Sequence, residues 1–369
     1  MDERLQALIN KGYDRDLVIH LSSFSEIDIN SNIDLLMDEA KDKAKPSTAP
    51  HIYFVGGQPG SGKSSAMNRI SEMESNLGVV NVEMDAYRTM NPKINDIKKT
   101  IFNYYKDKDF PNKTELMSSD LVAFTQGFAD AVADEYTAQL FANGYNMAIE
   151  STLRHPEGKL KLAEEMRKLN PNCTVSVIMM GISHDVALDG AMSRAQQMEI
   201  CLNKLISDAK EKEIEVLPVS RGVVNEKYYD SVCADLPGSV EVFSDPKNSD
   251  ILNGNVQIQD RSGNIHYDRN MDGLSKSASQ IEHDSLHGQI AQVQIEENKQ
   301  QVEKFFGVGA FMKENTSSVA SVYGSSEEAK KIFEAEVQKM RELLAQQTNE
   351  YLQATNYQVT SSEVFGRGM

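Results

Sequence analysis

The sequence predicts an α/β fold in which helices cover both faces of a parallel sheet. Short apolar segments alternate with longer helical ones from His51 to Asp208, and the first apolar segment ends in glycines. Strands that alternate with helices in this way form parallel βαβ units. Charged residues make up 25% and hydrophobic residues 40% of the chain, the composition of a globular protein with a sizeable core. The 369 residues suggest about two or three domains.

The predicted elements follow each other in a regular order. Residues 1–44 have helical periodicity, and two prolines in the segment Lys45–Pro50 indicate a linker. His51–Val55 is predicted to be the first strand, because it is apolar and leads into glycines. The elements predicted after it are helix 64–75, strand Val79–Met84, helix 115–142, strand Tyr145–Ile149, helix Gly158–Leu169, strand Thr174–Met180 and helix Asp185–Asp208.

The pattern changes near residue 255, where a β-hairpin is predicted. Val256 and Ile258 alternate with polar residues, and Ile265 and Tyr267 do the same on the other side of a loop that contains Gly263. Two alternating segments joined by a short glycine-containing loop are typical of a hairpin.

The last part of the chain is predicted to be helical. Ser325 and Glu328 have the spacing of a capping box, and a long amphipathic pattern follows them. We therefore expect three parts: an N-terminal helical segment (1–44), a nucleotide-binding domain (45–270) and a C-terminal helical accessory region (271–369).

Charge and composition exclude several classes of protein. Lys and Arg number 38 and Asp and Glu number 55, so the formal net charge is −17. Broad binding to nucleic acid is not expected, because it requires a cationic surface. No apolar run is long enough for a membrane span, and the start of the chain lacks the pattern of a signal peptide. Three widely spaced cysteines indicate reduced thiols, so we expect a cytoplasmic protein.

A glycine-rich motif between the first strand and the next helix matches the phosphate-loop pattern GxxxxGK[ST] in full. In such a loop, backbone N–H groups and a helix N-terminus hold phosphate oxygens. Lys63 would reach the β- and γ-phosphates, facing solvent without nucleotide, and the Ser64 hydroxyl would ligate Mg²⁺. The residues predicted to bind ATP are Gly57, Gln58, Pro59, Gly60, Ser61, Gly62, Lys63, Ser64 and Ser65.

The residues after the second predicted strand favour a kinase of a small substrate. The chain has no guanine-reading NKxD motif of regulatory GTPases, and no long apolar strand ends in paired acids as in motor ATPases. Asp85 instead follows the strand, at the edge where open α/β sheets bind ligands. Asp85 is therefore a candidate base for the acceptor hydroxyl, and Arg88 is a candidate for holding an anionic substrate group.

A second group of polar residues follows the third predicted strand. Glu150 is placed to orient a substrate hydroxyl or a magnesium-bound water, and Thr152 and Arg154 are placed to donate hydrogen bonds. Phosphoryl transfer also needs cations around the γ-phosphate beyond Mg²⁺. Arg194 and Arg221 are the candidates, with surface salt bridges as the alternative interpretation.

The segments GGQPGSGKSS, MDAYR and GYNMAIESTLR, in this order and spacing, resemble the zeta toxin family of P-loop kinases. The resemblance continues to the hairpin VQIQDRSGNIHYD and covers roughly residues 45–268. It implies a P-loop kinase-like parallel sheet and transfer of the ATP γ-phosphate to the 3′-hydroxyl of UDP-N-acetylglucosamine. It also implies a small antitoxin as the protein partner, one that blocks the nucleotide site.

The resemblance implies a role for each residue that matches the family's motifs. Catalytic roles fall on Asp85 as the base on the acceptor hydroxyl, Lys63 as the phosphate lysine, and Arg194 and Arg221 as ATP-phosphate arginines. The acceptor contacts fall on Glu150, Thr152 and Asp134, in addition to the candidates Arg88 and Arg154.

Two features depart from the family and concern the acceptor. Ser151 stands where the family usually has glycine, and the spacing between Arg194 and Arg221 is lengthened around residues 201–216. An NAD-type dinucleotide, a nucleoside or an antibiotic are alternative acceptors. A hypothesis of another class is a nucleotide-binding interaction module without kinase activity. Asp85 separates the two classes, because a module that only binds nucleotide has no use for a base there.

Overall fold

The computed structural model describes residues 2–108, 110, 113–192, 226–272 and 277–306. The chain divides into two compact units, Met1–Gln294 and Ile295–Met369. Among the described residues, the strands and the helices up to residue 287 lie in the first unit, and residues 295–306 of the second unit are helical.

A six-stranded sheet forms the centre of the first unit, with the order β2-β3-β1-β4-β5-β6. The first five strands of this order pair in parallel, and β6 runs antiparallel to β5. The predicted α/β class, the parallel sheet and the hairpin are thereby confirmed. The strands are β1 (His51–Gly56), β2 (Val80–Val82), β3 (Met147–Glu150), β4 (Thr174–Met180), β5 (Val256–Gln259) and β6 (Ile265–Asp268).

Helices surround this sheet, and the periodicity of residues 1–44 corresponds to three of them. Three others, α5, α6 and α10, have no counterpart among the predicted elements. The helices are α1 (Glu3–Lys11), α2 (Arg15–Ser22), α3 (Glu26–Lys43), α4 (Lys63–Met73), α5 (Met84–Tyr87), α6 (Ile94–Tyr105), α7 (Lys113–Ala142), α8 (Pro156–Leu169), α9 (described for residues 184–192), α10 (Glu226–Ser244), α11 (Arg269–Asp272), α12 (Ala278–His287) and α13 (Gln289–Phe306).

The central strands are almost completely buried, as expected for parallel strands covered on both faces. Residues Ile52–Val55 of β1 and Val175–Met180 of β4 are all buried. Helix α4 packs on β1, β3 and β4, α7 packs on β2, and α12 packs on β5 and β6. The apolar segments that predicted the strands therefore form the core of this unit. The loops at the strand ends are attached to that core.

The three N-terminal helices pack against α7, and α1 and α2 share an apolar cluster with α6 and α7. A buried carboxylate joins them at one point. Asp120 on α7 accepts hydrogen bonds from the Lys11 ammonium at 2.7 Å, the Tyr13 hydroxyl at 2.9 Å and the Tyr105 hydroxyl at 2.8 Å. The helices of residues 1–44 therefore share one compact unit with the sheet.

Some predictions concern other parts of the chain. The capping box of Ser325 and Glu328 lies outside the described residues, and the predicted boundaries at residues 45 and 271 stay predictions. Cys173 and Cys233 are buried free thiols, and Cys201 lies outside the described residues. Among the described helices, none is long and apolar enough to cross a membrane.

Candidate functional site

The phosphate loop, residues 57–62, connects β1 to α4 and depends on glycine at several positions. Gly60 and Gly62 have φ angles of 81° and 93°, in the left-handed region that side chains disfavour. A Cβ atom at position 60 would also lie 2.1 Å from the carbonyl oxygen of Ala187. The backbone at Gly60 therefore packs directly on α9, which no other residue type would allow.

Two side chains of the loop point into the protein. Gln58 is fully buried and donates a hydrogen bond from Nε2 to the carbonyl oxygen of Ile182 at 2.7 Å, and Ser61 is also fully buried. Ser64 and Ser65, in contrast, are exposed at the start of α4. The Gln58 side chain therefore anchors the loop to the segment after β4, while Ser64 and Ser65, in the first turn of α4, are accessible to a ligand.

Lys63 occupies a different position from the one expected. Its side chain is only 10% exposed, and its ammonium nitrogen lies 3.5 Å from a carboxylate oxygen of Glu150. It also donates to the carbonyl oxygens of Gly57 at 3.2 Å and Gln58 at 3.3 Å. The expectation that Lys63 faces solvent without nucleotide was wrong. Its ammonium group instead contacts two carbonyl oxygens of the loop and the Glu150 carboxylate.

Asp85 lies in the short helix α5, directly after β2, and is bound to Arg88. The guanidinium Nη1 of Arg88 contacts the Oδ1 atom of Asp85, and Nη2 donates to Gln126 Oε1 at 2.7 Å. Gln126 is itself held on α7, since its Nε2 donates to Asp130 Oδ1 at 2.7 Å. The Asp85 side chain stays 48% exposed while that of Arg88 is 8% exposed. The protein thus fixes one oxygen of Asp85 and leaves the carboxylate accessible.

The loop after β3 is tightly connected to the phosphate loop. Glu150 ends β3, and the carbonyl oxygen of Thr152 accepts a hydrogen bond from the Gly57 N–H at 3.3 Å. Leu153 has a φ angle of 55°, the one positive value among the described non-glycine residues. Its side chain packs against Gly56, where a Cβ atom would lie 2.4 Å from it. The two loops are therefore fixed against each other.

Arg154, the last residue of the predicted group, is bound to α10. Its Nη2 lies 2.6 Å from Asp235 Oδ2, and its Nη1 donates to the Ser231 hydroxyl at 3.2 Å. The Ser239 hydroxyl donates to the Arg154 carbonyl oxygen at 3.0 Å. Both side chain and backbone of Arg154 thus connect the β3 loop to α10.

Asp134 lies on α7, two turns after Gln126. The residue is exposed at the surface, yet the protein packed around its carboxyl group raises its pKa, and the charge of Asp130 raises it further. Lys159, on α8, opposes this rise. Asp134 therefore belongs to a partly desolvated charged group between α7 and α8.

Three residues near the strand ends that carry the phosphate loop were not predicted from the sequence. Arg261, in the β5–β6 loop, donates from Nη2 to the Gly60 carbonyl oxygen at 2.6 Å. Gln126 binds Arg88, and Lys159 lies beside Asp134. Each contact joins residues far apart in the chain, so no local pattern predicts it. Arg194 and Arg221 lie outside the described residues and remain predicted phosphate contacts.

The fold and the site together define a class. A parallel sheet carries a phosphate loop after one strand, and an accessible carboxylate and a second acid follow two neighbouring strands at the same edge. This is the architecture of P-loop nucleotide-binding proteins with a kinase-like fold.

The chain belongs to the zeta toxin family, whose family model matches residues 36–272. It is 23% identical over 252 residues to the toxin PezT of Streptococcus pneumoniae serotype 4, a match covering 68% of this chain and 84% of that protein. It is 23% identical over 144 residues to the toxin zeta of Streptococcus agalactiae, covering 39% of this chain and 44% of that protein. The match to that zeta toxin thus spans less than half of its length.

A solved structure supports the same fold. It comes from the PezAT chromosomal toxin–antitoxin system of Streptococcus pneumoniae, with a TM-score of 0.57 and 17% sequence identity. The similarity covers 77% of this chain and 98% of that one. The two chains therefore share the arrangement of the backbone.

Proposed function

We propose that this protein is an ATP-dependent kinase that transfers the γ-phosphate to a hydroxyl group of a nucleotide-sugar. The first candidate for the acceptor is UDP-N-acetylglucosamine, at its 3′-hydroxyl. The observation that carries the proposal is the accessible carboxylate of Asp85, held by Arg88 at the sheet edge that also carries the phosphate loop. A protein that only binds nucleotide would not need a fixed base there.

In the proposed reaction, the phosphate loop and Lys63 bind the β- and γ-phosphates of ATP. Asp85 accepts the proton of the acceptor hydroxyl, whose oxygen attacks the γ-phosphorus atom. The bond between that phosphorus and the β–γ bridging oxygen breaks, and ADP leaves with the electron pair. Catalysis of this kind depends on positioning and on positive charge around the transferred group. Arg194 and Arg221 are proposed to supply part of that charge.

The side chains near Lys63 fit a magnesium ion. Mg²⁺ prefers oxygen ligands, and the Ser64 hydroxyl is exposed at the start of α4 while the Glu150 carboxylate lies beside Lys63. We propose that Ser64 holds the ion directly and that Glu150 orients its water or an acceptor hydroxyl. When bound, Mg²⁺ neutralises negative charge on the phosphate oxygens.

Membership of the zeta toxin family supports a biological role as a toxin. The similar proteins from streptococci are named toxins, and the similar structure comes from a toxin–antitoxin system. We therefore propose that an antitoxin protein inhibits this chain and that it acts in the cytoplasm, where ATP and nucleotide-sugars are present.

The test is phosphoryl transfer by purified protein with ATP and Mg²⁺. The acceptors are a panel of UDP-sugars, NAD, nucleosides and hydroxyl-containing antibiotics, and mass spectrometry follows the gain of one phosphate. We expect a phosphorylated UDP-sugar with the wild type, and a rate lower by a factor of at least about 10² with Asp85→Asn. The variant Asp38→Asn, with an exposed carboxylate on α3, is the control.

The other outcomes separate the alternatives. Phosphorylation of NAD, a nucleoside or an antibiotic alone would keep the kinase and replace the acceptor. Equal rates for the wild type and Asp85→Asn would contradict the role of the base. ATP binding without transfer to any member of the panel would favour an interaction module.

A further inference from the structure

Both arginines beside the predicted acceptor site are bound to protein groups. The Nη1 and Nη2 atoms of Arg88 contact Asp85 and Gln126, and the guanidinium of Arg154 contacts Asp235 and Ser231. An anionic acceptor would have to compete with these partners for either guanidinium. A positive charge without such partners would bind a phosphate-bearing acceptor more favourably.

Lys159 provides such a charge. It lies in the first turn of α8, and its ammonium nitrogen is 5.8 Å from the centroid of the Phe54 ring. Within the part of the chain that the structure describes, it forms no ion pair and no hydrogen bond. The side chain is half-buried, so the ammonium group is only partly hydrated.

The position of Lys159 connects it to the site. Phe54 pairs in register with Ile149, the residue before Glu150, and lies two residues before the strand end at Gly56. Lys159 therefore lies close to the strand ends that carry the phosphate loop and the acceptor carboxylates.

The charge of Lys159 is only partly compensated. Burial lowers the pKa of its ammonium group, and the negative charge of Asp134 on α7 opposes that effect in part. Keeping an ammonium group partly desolvated and unpaired costs free energy. A bound anion would remove this cost, and perturbed groups of this kind occur most often at functional sites.

We propose that Lys159, with Phe54 and Asp134 beside it, forms a subsite that binds the phosphate groups of a nucleotide-type acceptor. The proposal rests on the proposed kinase function and assigns acceptor specificity within it. Lysine binds phosphate as a point charge, and the low local dielectric beside an aromatic ring strengthens that attraction. Asp134 is placed to accept a hydrogen bond from a hydroxyl group of the same ligand.

The first test does not depend on turnover. Wild-type protein is mixed with Mg²⁺ and a non-hydrolysable ATP analogue that fills the nucleotide site, and its lysines are labelled with acetic anhydride. Mass spectrometry then compares Lys159 with Lys161, which is exposed on the same helix. We expect UDP to protect Lys159 from labelling and uridine to leave it unprotected, with Lys161 unchanged in both. Unchanged labelling of Lys159 with UDP, or equal protection by uridine, would overturn the proposal.

The second test uses the acceptor that the wild type phosphorylates. Lys159→Met should raise the KM for a phosphate-bearing acceptor roughly 10- to 100-fold, the value of a hydrogen bond to a charged group. The KM for ATP should not change, Lys159→Arg should restore most of the acceptor affinity, and Lys161→Met should behave as the wild type. An unchanged acceptor KM in a folded Lys159→Met protein would contradict the subsite. If the wild type phosphorylates no acceptor, the kinase proposal fails while the labelling result still decides whether Lys159 binds phosphate.

Discussion

The ammonium group of Lys63 lies 3.5 Å from the carboxylate of Glu150, although Lys63 begins α4 and Glu150 ends β3. The same ammonium group donates to the carbonyl oxygens of Gly57 and Gln58. These contacts hold Lys63 over its own loop, so a bound nucleotide exchanges weak contacts with carbonyl oxygens for strong ones with phosphate. Glu150 stays within reach of both the lysine and a ligand.

The first prediction follows from this arrangement. Lys63→Met should weaken ATP binding roughly 10- to 100-fold, because it removes a charged hydrogen bond to the phosphates. The free energy of unfolding should fall by no more than about 1 kcal/mol, since Glu150 is 26% exposed and can be hydrated. Calorimetric titration with ATP and urea unfolding measure the two effects. Lys43→Met, an exposed lysine paired with Glu39, is the control. Unchanged ATP affinity in Lys63→Met would remove the lysine from the nucleotide site.

The second prediction concerns the contact between Gln126 and Arg88. Gln126→Leu removes the acceptor of the Arg88 Nη2 hydrogen bond, so Asp85 loses part of the support that orients it. We expect kcat to fall about tenfold, equivalent to about 1.4 kcal/mol, with the KM values for ATP and acceptor unchanged. Steady-state kinetics measures all three quantities.

The matched control for Gln126→Leu lies on the same helix. Gln139 is exposed and donates a hydrogen bond only to its neighbour Glu135 among the contacts described, so Gln139→Leu should keep the wild-type kcat. If Gln126→Leu raised the acceptor KM and left kcat unchanged, Arg88 would hold the acceptor rather than orient Asp85.

The phosphate loop and the elements on either side of it could be predicted from the sequence, because the residues that form them are neighbours in the chain. The apolar residues of β1, the glycines after it and the start of α4 lie next to each other in the chain, and the structure places these elements within one or two residues of the prediction. Helix α10 was missed because Pro237 lies inside it, and proline disfavours helix interiors. Its packing against α8 and α12 outweighs that local preference.

Contacts between distant segments could not be predicted in this way. Gln126 lies 38 residues after Arg88 and on another helix, so nothing in the sequence near either residue predicts their hydrogen bond. The same applies to Lys63, because its burial depends on Glu150, which follows a different strand. The residue types and the motif spacing indicate which residues are candidates for binding and catalysis. Which of their charges are paired with other protein groups depends on contacts that only the folded chain brings together.

The third prediction concerns the junction between the N-terminal helices and α7. Asp120 is 4% exposed at its side chain, and Asp120→Asn removes the negative charge that Lys11 and two tyrosine hydroxyls contact. We expect the free energy of unfolding to fall by about 3 kcal/mol, as for other buried ion pairs that lose one partner. Asp38→Asn, at an exposed ion pair with Lys41, should change it by less than about 0.5 kcal/mol. Urea unfolding measures both. Equal stability of the two variants would show that the N-terminal helices do not depend on this junction.

The last prediction arises from a carboxyl group in α12 that has no partner among the described residues. Glu282 is fully buried, and neither of its side-chain oxygens has a hydrogen-bond partner within the part of the chain that the structure describes. Its helix packs on α10, on β5 and on the edge strand β6, so the group lies in the protein interior. Burial raises the pKa of Glu282 from 4.5 to about 8.

This shift makes stability depend on pH in a definite direction. Between pH 4.5 and about 8, folded Glu282 keeps a proton that the unfolded chain releases. Its contribution therefore lowers stability as pH rises through this range, by up to about 1.4 kcal/mol per pH unit, and levels off above it. Glu282→Gln resembles the protonated acid at every pH, so the variant should match the wild type near pH 5 and exceed its stability increasingly towards pH 8. Thermal unfolding of both proteins across this range, with Glu165→Gln on the exposed side of α8 as the control, measures the difference. A constant difference between Glu282→Gln and the wild type would mean that Glu282 is ionised in the folded protein throughout.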